Sequence, residues 1–115
     1  MSRPDFEASI ARLTRRVDAA LAQSRRFDVL AERVHNWAEN WSVAAIARWL
    51  YADGQPTRRT ECALVALALK GTDEAGEVLR GYDAGERDED HHLLWQVALI
   101  EWEQRWDDTV YEAVA

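Results

Sequence analysis

The sequence lacks the features that mark secreted or membrane proteins. Cys62 is its single cysteine, so no disulfide can form within the chain and a disulfide-stabilised extracellular fold is excluded. The N-terminus is charged and carries no apolar segment of the kind found in signal peptides. The longest stretch without a charged side chain, residues 91–100, has about half the length of a membrane span. We therefore expect a cytoplasmic protein without membrane association, in which Cys62 is a small buried side chain rather than a nucleophile.

Glycine and proline, which interrupt helices, are absent between Pro4 and Gly54. Across this region apolar residues recur in alternating steps of four and three, which is typical of a helix with one buried face. The stripe consists of Phe6, Ile10, Leu13, Val17, Ala20, Ser24, Phe27, Ala31, Val34, Ala38 and Trp41. Because Ser24 is its only polar member, we expect either one amphipathic helix or a helix pair over residues 4–40, with a break or bend near Ser24.

Capping and turn residues divide residues 42–113 into helical hairpins. The expected helix starts are Ser2, Ser42, Thr57, Thr72 and about Asp88, and the expected ends are Ala52, Lys70 with Gly71, Gly81 and about Ala113. Asp53-Gly54-Gln55-Pro56 is the clearest loop, and residues 82–87 are expected to form a turn. No segment alternates as a strand would. The sequence predicts one all-α domain over residues 1–115, a small bundle of about five helices built from antiparallel helical hairpins.

Residues 61–114 resemble tandem helical-hairpin repeats. Ala63-Leu64-Val65 matches Ala98-Leu99-Ile100 at an offset of 35, and Gly71-Thr72-Asp73-Glu74-Ala75 resembles the turn of a tetratricopeptide repeat. An offset of 31 pairs Ala66-Leu67 with Val97-Ala98, and in that register the segment resembles a HEAT-like repeat. Both families stack hairpins into a partner-binding groove, so the resemblance implies binding rather than catalysis.

Six tryptophans in 115 residues are an unusual supply of large apolar side chains for a small domain. Each indole can bury on the order of 200 Å², so we expect most of them in the core. On the last helix Trp95, Leu99, Trp102, Trp106 and Val110 follow one another at helical spacing.

Acidic residues are concentrated at the C-terminal end. Residues 81–115 carry a net charge of −8, whereas residues 1–40 carry +1 and residues 41–80 are neutral, which together give the net charge of −7. This asymmetry repels nucleic acid and attracts a protein with a basic surface, such as a nucleic-acid-binding protein. The predicted partner-binding residues are Asp88, Glu89, Asp90, Glu101, Glu103, Asp107, Asp108 and Glu112.

The segment Glu86-Arg87-Asp88-Glu89-Asp90-His91-His92 contains the densest group of residue types used in catalysis. Asp88 and His92 are four residues apart, so they can form an ion pair at a solvated helix start. The same two residues, with Glu89 or Glu86, suit a divalent metal. The spacing of Arg87 and His92 resembles the catalytic pattern of HEPN-type helical ribonucleases, and this resemblance implies phosphate binding by the arginine and proton transfer by the histidine.

The preferred interpretation is a non-enzymatic macromolecule-binding protein of inhibitor, immunity or adaptor type, without a cofactor, whose acidic C-terminal third docks on a basic partner surface. The first alternative is a helical ribonuclease or metal-dependent enzyme centred on Arg87 and His92. The second alternative is a structural oligomer, a homodimer for example, formed through the N-terminal helix.

Overall fold

In a computed structural model the chain is described over residues 3–52, 54–82 and 88–114, and every regular element in these ranges is an α-helix. The five helices are α1 (Arg3–Asn40), α2 (Val43–Leu50), α3 (Thr57–Lys70), α4 (Asp73–Gly81) and α5 (Glu89–Val114). The predicted all-α bundle of five helices is confirmed. Within these ranges no helix combines the length and the apolar character that a membrane span requires.

Short polar side chains start three of the helices, as predicted. The hydroxyls of Ser42 and Thr72 accept hydrogen bonds from the backbone N–H groups of Ala45 and Ala75, at 3.1 and 3.3 Å. The carboxylate of Asp88 accepts from the N–H of His91 at 2.8 Å. Gly71 ends α3 with a φ of 61°, a left-handed conformation that favours glycine.

The predicted cap at Thr57 is wrong. The carbonyl of Pro56 already accepts hydrogen bonds from the N–H groups of Arg59 and Thr60, so Thr57 is the first residue of α3. The predicted cap at Ser2 and most of the predicted turn over residues 82–87 lie outside the described residues.

α1 is a single continuous helix, so the expected break near Ser24 is wrong. A serine inside a helix costs well under 1 kcal/mol relative to alanine, and no glycine or proline follows to stop the helix before Asn40. One unfavourable residue in 38 is therefore not enough to end it.

The apolar stripe of α1 is buried only in its second half. Phe27, Val34 and Ala38 belong to the core, whereas the four large apolar residues that begin the stripe are between 48% and 62% exposed. Residues 6–18 are exposed on every side of α1, so the other described helices do not cover this half of the helix on any face. The expectation of one buried face is therefore wrong there.

α3 is the central helix, and its residues 63–68 are fully buried. It packs against all four other helices. Its first turns lie beside Arg26 of α1 and His91 of α5. Its end lies beside Arg105 of α5. α1, α3 and α5 therefore run in the same direction, and α2 and α4 return between them, which gives the predicted antiparallel hairpins.

Candidate functional site

A buried ion pair joins α1 to α3. The guanidinium of Arg26 donates two hydrogen bonds to the carboxylate of Glu61, at 2.7 and 2.5 Å. The Glu61 side chain is only 2% exposed, whereas that of Arg26 reaches solvent on one side. Paired hydrogen bonds of this geometry are among the stronger polar contacts in proteins, so they fix how α1 and α3 are aligned.

His91 extends this pair into a four-residue network. Its Nδ1 lies 3.7 Å from Glu61 Oε2, close enough for an ion pair when the ring is protonated. Its Nε2 lies 2.7 Å from the hydroxyl of Tyr82, the residue that follows α4. Because His91 is fully buried and Glu61 nearly so, no solute reaches the two groups. The network holds helices together and is not an open catalytic site.

The network also determines the ionisation of Glu61. Burial by itself raises the pKa of this carboxyl, but the contact with His91, the hydrogen bonds from Arg26 and the charge of Arg26 outweigh it. The pKa of Glu61 therefore lies below the ordinary value, and the side chain is an anion at neutral pH.

Asp88 and His92, which the sequence offers as metal ligands or as an ion pair, have other partners. The Asp88 carboxylate caps the start of α5. His92 lies 3.2 Å from the amide of Gln96 and its ring packs on Trp95. No salt bridge joins the two residues in the described part of the chain, so the predicted ion pair is wrong: the backbone N–H of His91 takes the carboxylate instead. Glu86 and Arg87 lie outside the described residues.

Among the described residues, no group of three or more histidine, cysteine or carboxylate side chains converges as metal ligands would. Cys62 is partly exposed rather than buried. Burial nevertheless raises the pKa of its thiol, which disfavours the reactive thiolate.

The tryptophans of α5 pack on α4. The indole N–H of Trp95 donates to the carbonyl of Leu79 at 2.8 Å, and that of Trp102 donates to the carbonyl of Thr72 at 2.7 Å. The indole of Trp106 donates to the carboxylate of Asp73. This stripe is a packing surface, as expected for tryptophan in a small core.

An open groove of about 490 Å³ remains beside this packing surface. It is lined by Asp73, Arg80, Leu99, Trp102, Glu103 and Trp106. The guanidinium of Arg80 lies 5.0 Å from the centre of the Trp102 ring, a cation–π distance. The groove thus combines an indole surface with charges of both signs.

The predicted acidic residues do not all remain free. Asp88 is a cap, and Glu101 pairs with Arg105 at 2.7 Å. Glu89 lines a groove of about 370 Å³ together with Arg15 and Arg16 of α1. Apart from Asp88, the carboxylates of six predicted residues are exposed and form no salt bridge with any described residue: Glu89, Asp90, Glu103, Asp107, Asp108 and Glu112. Four of these six lie in the last three turns of α5.

These four acids flank two exposed apolar residues. Glu103 and Asp107 share one side of the helix, and Asp108 and Glu112 share another, about 140° away at 100° per residue. Between the two pairs lie Ile100 and Tyr111, which are 57% and 75% exposed. We call these six residues, all within the last four turns of α5, the docking face. The sequence predicted its acids, but not its two apolar residues.

A second aromatic cluster was not predicted. Trp37, Trp41 and Trp49 meet edge to face at the junction of α1 and α2, with ring centres 5.4 to 6.2 Å apart. They border a shallow groove of about 510 Å³. The signal was present, because Trp37 and Trp41 are four residues apart on one helix and α2 brings Trp49 back to them.

Comparisons with family models, with curated proteins and with solved structures find no match to this chain. The resemblance of residues 61–114 to helical repeats therefore gains no support beyond the antiparallel packing of the hairpins themselves.

Proposed function

We propose that the chain is a non-enzymatic protein-binding domain whose docking face on α5 binds a basic surface of a partner protein. The observation that carries this proposal is the exposure of Tyr111 and Ile100 between two pairs of carboxylates that form no salt bridge with any described residue. A large aromatic side chain surrounded by polar groups is a common centre of protein interfaces.

The charge on α5 supports the same proposal. The last turn of α5 carries Glu112 and has no basic residue. Carboxylates at the C-terminal end of a helix are opposed by the helix dipole, at a cost of about 0.3–1 kcal/mol each. Glu103 and Asp107, like Asp108 and Glu112, repel one another at a spacing of four. Cationic groups on a partner would remove both penalties.

An acidic docking face raises both the rate at which a basic partner associates and the selectivity for that partner. Complementary charge accelerates encounter with the correct partner and disfavours wrong ones, and this effect weakens as salt screens the charges. Inhibitors, immunity proteins and adaptor subunits all use this mode of binding, and the identity of the partner distinguishes them.

The test is a comparison of two variants with equal charge change. The full chain, immobilised, is used to capture proteins from a lysate of its source cells, and the captured protein is then purified for binding measurements. Binding should weaken by at least about tenfold in a triple variant that removes three interface charges, Asp107→Asn, Asp108→Asn and Glu112→Gln. The control variant removes three exposed charges outside the docking face, Glu32→Gln, Glu74→Gln and Glu77→Gln. It should change the affinity less than about threefold.

Affinity should also fall by at least about tenfold between roughly 50 and 500 mM salt. The proposal is wrong if both triple variants behave alike, or if the captured complex does not respond to salt. Tyr111→Ala should weaken binding as well, because it removes the apolar centre of the face.

A further inference from the structure

The first half of α1 carries an apolar surface that no described residue covers. Phe6, Ile10, Leu13 and Val17 are 56%, 48%, 62% and 50% exposed. We call these four residues the arm stripe. Single apolar side chains on a surface are ordinary, but a continuous line of them marks an interaction site. We propose that the arm stripe pairs with the arm stripe of a second copy of this chain, in a parallel two-stranded coiled coil.

Space for a second helix is present. Where α5 begins, Glu89 lines a groove together with Arg12, Arg15, Arg16 and Ala19 of α1, so α5 starts about 140° around the helix from the arm stripe. The arm stripe lies on a different side, and residues 6–18 are exposed throughout. A partner helix can therefore lie along the stripe without displacing α5.

The spacing of the stripe selects a partner with the same repeat. Steps of four, three and four place Phe6 and Leu13 at d positions and Ile10 and Val17 at a positions of a heptad. A 3.5-residue stripe keeps contact only with a helix that winds around it with a matching repeat. β-Branched residues at a with leucine at d favour parallel two-stranded pairs, and a second copy of α1 supplies this pattern.

The charges beside the stripe favour the parallel orientation. At 100° per residue, Glu7 and Asp18 lie on one side of the stripe, and Arg12 and Arg16 lie on the other. A parallel pair places the acidic side of each helix against the basic side of its partner, with Asp18 about 3 Å along the axis from the level of Arg16. An antiparallel pair would place the arginines of both copies on the same side.

The surface is separate from the docking face on α5, so this inference does not rest on the proposed function. Four layers make a short coiled coil, and short interfaces of this kind give weak dimers, with dissociation constants on the order of micromolar. The oligomeric state of the chain should therefore change from monomer to dimer as the protein concentration rises.

The first test is sedimentation equilibrium of the purified full chain between about 1 and 500 μM, a range chosen to bracket micromolar dissociation. The expected mass rises from one chain to two. Val17→Ser should weaken dimerisation at least about tenfold, because it removes apolar contact from both copies. Val29→Ser is the matched control: Val29 is on the same helix and is 53% exposed, against 50% for Val17, but lies off the stripe.

A monomer at every concentration would overturn the proposal, and so would a dimer that responds equally to both substitutions. Circular dichroism of both variants shows whether α1 remains helical. A loss of helix in Val17→Ser alone, at concentrations where the unaltered chain is monomeric, would also count against the proposal.

The second test determines orientation by disulfide cross-linking in a Cys62→Ser background. Equivalent a or d positions face each other across a parallel pair at a spacing that a disulfide can bridge. Phe6→Cys and Val17→Cys should therefore each form cross-linked dimers alone. In an antiparallel pair only a mixture of the two variants would cross-link, and that result would overturn the parallel assignment. Ala8→Cys, on the opposite side of the helix, should form no cross-link.

Discussion

Glu61 places a negative charge where water does not reach, and its neighbours make that charge favourable. The two hydrogen bonds from Arg26 and the nearby ring of His91 replace the water that the carboxylate loses on folding. The pair could not be predicted from the sequence, because the two residues are 35 positions apart and meet only when α1 packs on α3. The sequence feature that could have indicated a buried carboxylate is the position of Glu61 directly before the apolar residues 62–69.

Glu61→Gln should lower the free energy of unfolding by about 1.5–3 kcal/mol at pH 7, since it removes a charged hydrogen-bond acceptor. Urea denaturation followed by tryptophan fluorescence measures the change. The exposed Glu77, changed to glutamine in the same way, should shift it by less than about 0.5 kcal/mol. Equal effects of the two substitutions would contradict the stabilising role of the network.

The pH dependence of the same variant follows from the sign of the shift. Because folding lowers the pKa of Glu61, its ionisation stabilises the fold above the unfolded-state value of about 4.3, and this contribution is lost as pH falls through the folded-state pKa. The stability difference between the unaltered chain and Glu61→Gln should therefore shrink on acidification below about pH 4.3. A difference that stays constant to pH 3 would show that the carboxylate charge is not involved.

At the scale of single helices, α4 and α5 approach closely at a glycine. A Cβ atom at Gly76 would lie 2.1 Å from Cζ2 of Trp102. Because the backbone fixes the position of a Cβ atom, rotation of the side chain cannot remove this clash. The indole of Trp102 is itself held by the carbonyl of Thr72. At Gly81, in the last turn of the same helix, a Cβ atom would meet nothing within 4 Å.

These two glycines should respond to alanine with opposite signs. Gly76→Ala should lower the free energy of unfolding by about 1–3 kcal/mol through overpacking against Trp102. Gly81→Ala should raise it by about 0.4–1 kcal/mol, because it restricts the unfolded chain without a clash. Thermal denaturation of the two variants is the measurement, and stabilisation by both would show that α5 moves aside freely.

The helix boundaries show which features a sequence can predict. Ser42, Thr72 and Gly71 act within a few residues of themselves, so their roles were correctly predicted. Thr57 was wrongly assigned because the preceding carbonyl competes for the same first turn. The long stripe of α1 indicated a helix correctly, but which part of it is buried depends on where the other four helices end. For the docking face, the acids were evident from composition, whereas their division into two pairs follows only from the helix angle.

At the scale of the whole molecule, α3 is enclosed by the other helices. Residues 63–68 have no exposed surface, while residues 6–18 of α1 and residues 107–112 of α5 are exposed on every side. The free energy of local opening is higher in buried segments than in exposed ones. No local pattern in the sequence identified α3 as central, because centrality is a property of how all five helices pack.

Amide hydrogen exchange should therefore be slowest in α3 and should there report global unfolding. Exchange in residues 6–18 should be much faster at low protein concentration, where the arm has no partner. Mass spectrometry of peptides from the exchanged protein resolves these segments. Slower exchange in the last turns of α5 than in α3 would contradict this order.

Because α5 runs alongside α1 in the same direction, the arm stripe and the docking face lie at opposite ends of a body about 55 Å long. A parallel dimer would thus present two docking faces side by side at one end. A client with two basic sites at the right separation would be held bivalently, and the second contact would form at the high effective concentration set by the first. Bivalent binding of this kind would hold the client firmly even if each docking face bound it weakly. Substitutions in the arm stripe that prevent dimerisation would abolish it, although no residue of α5 had changed.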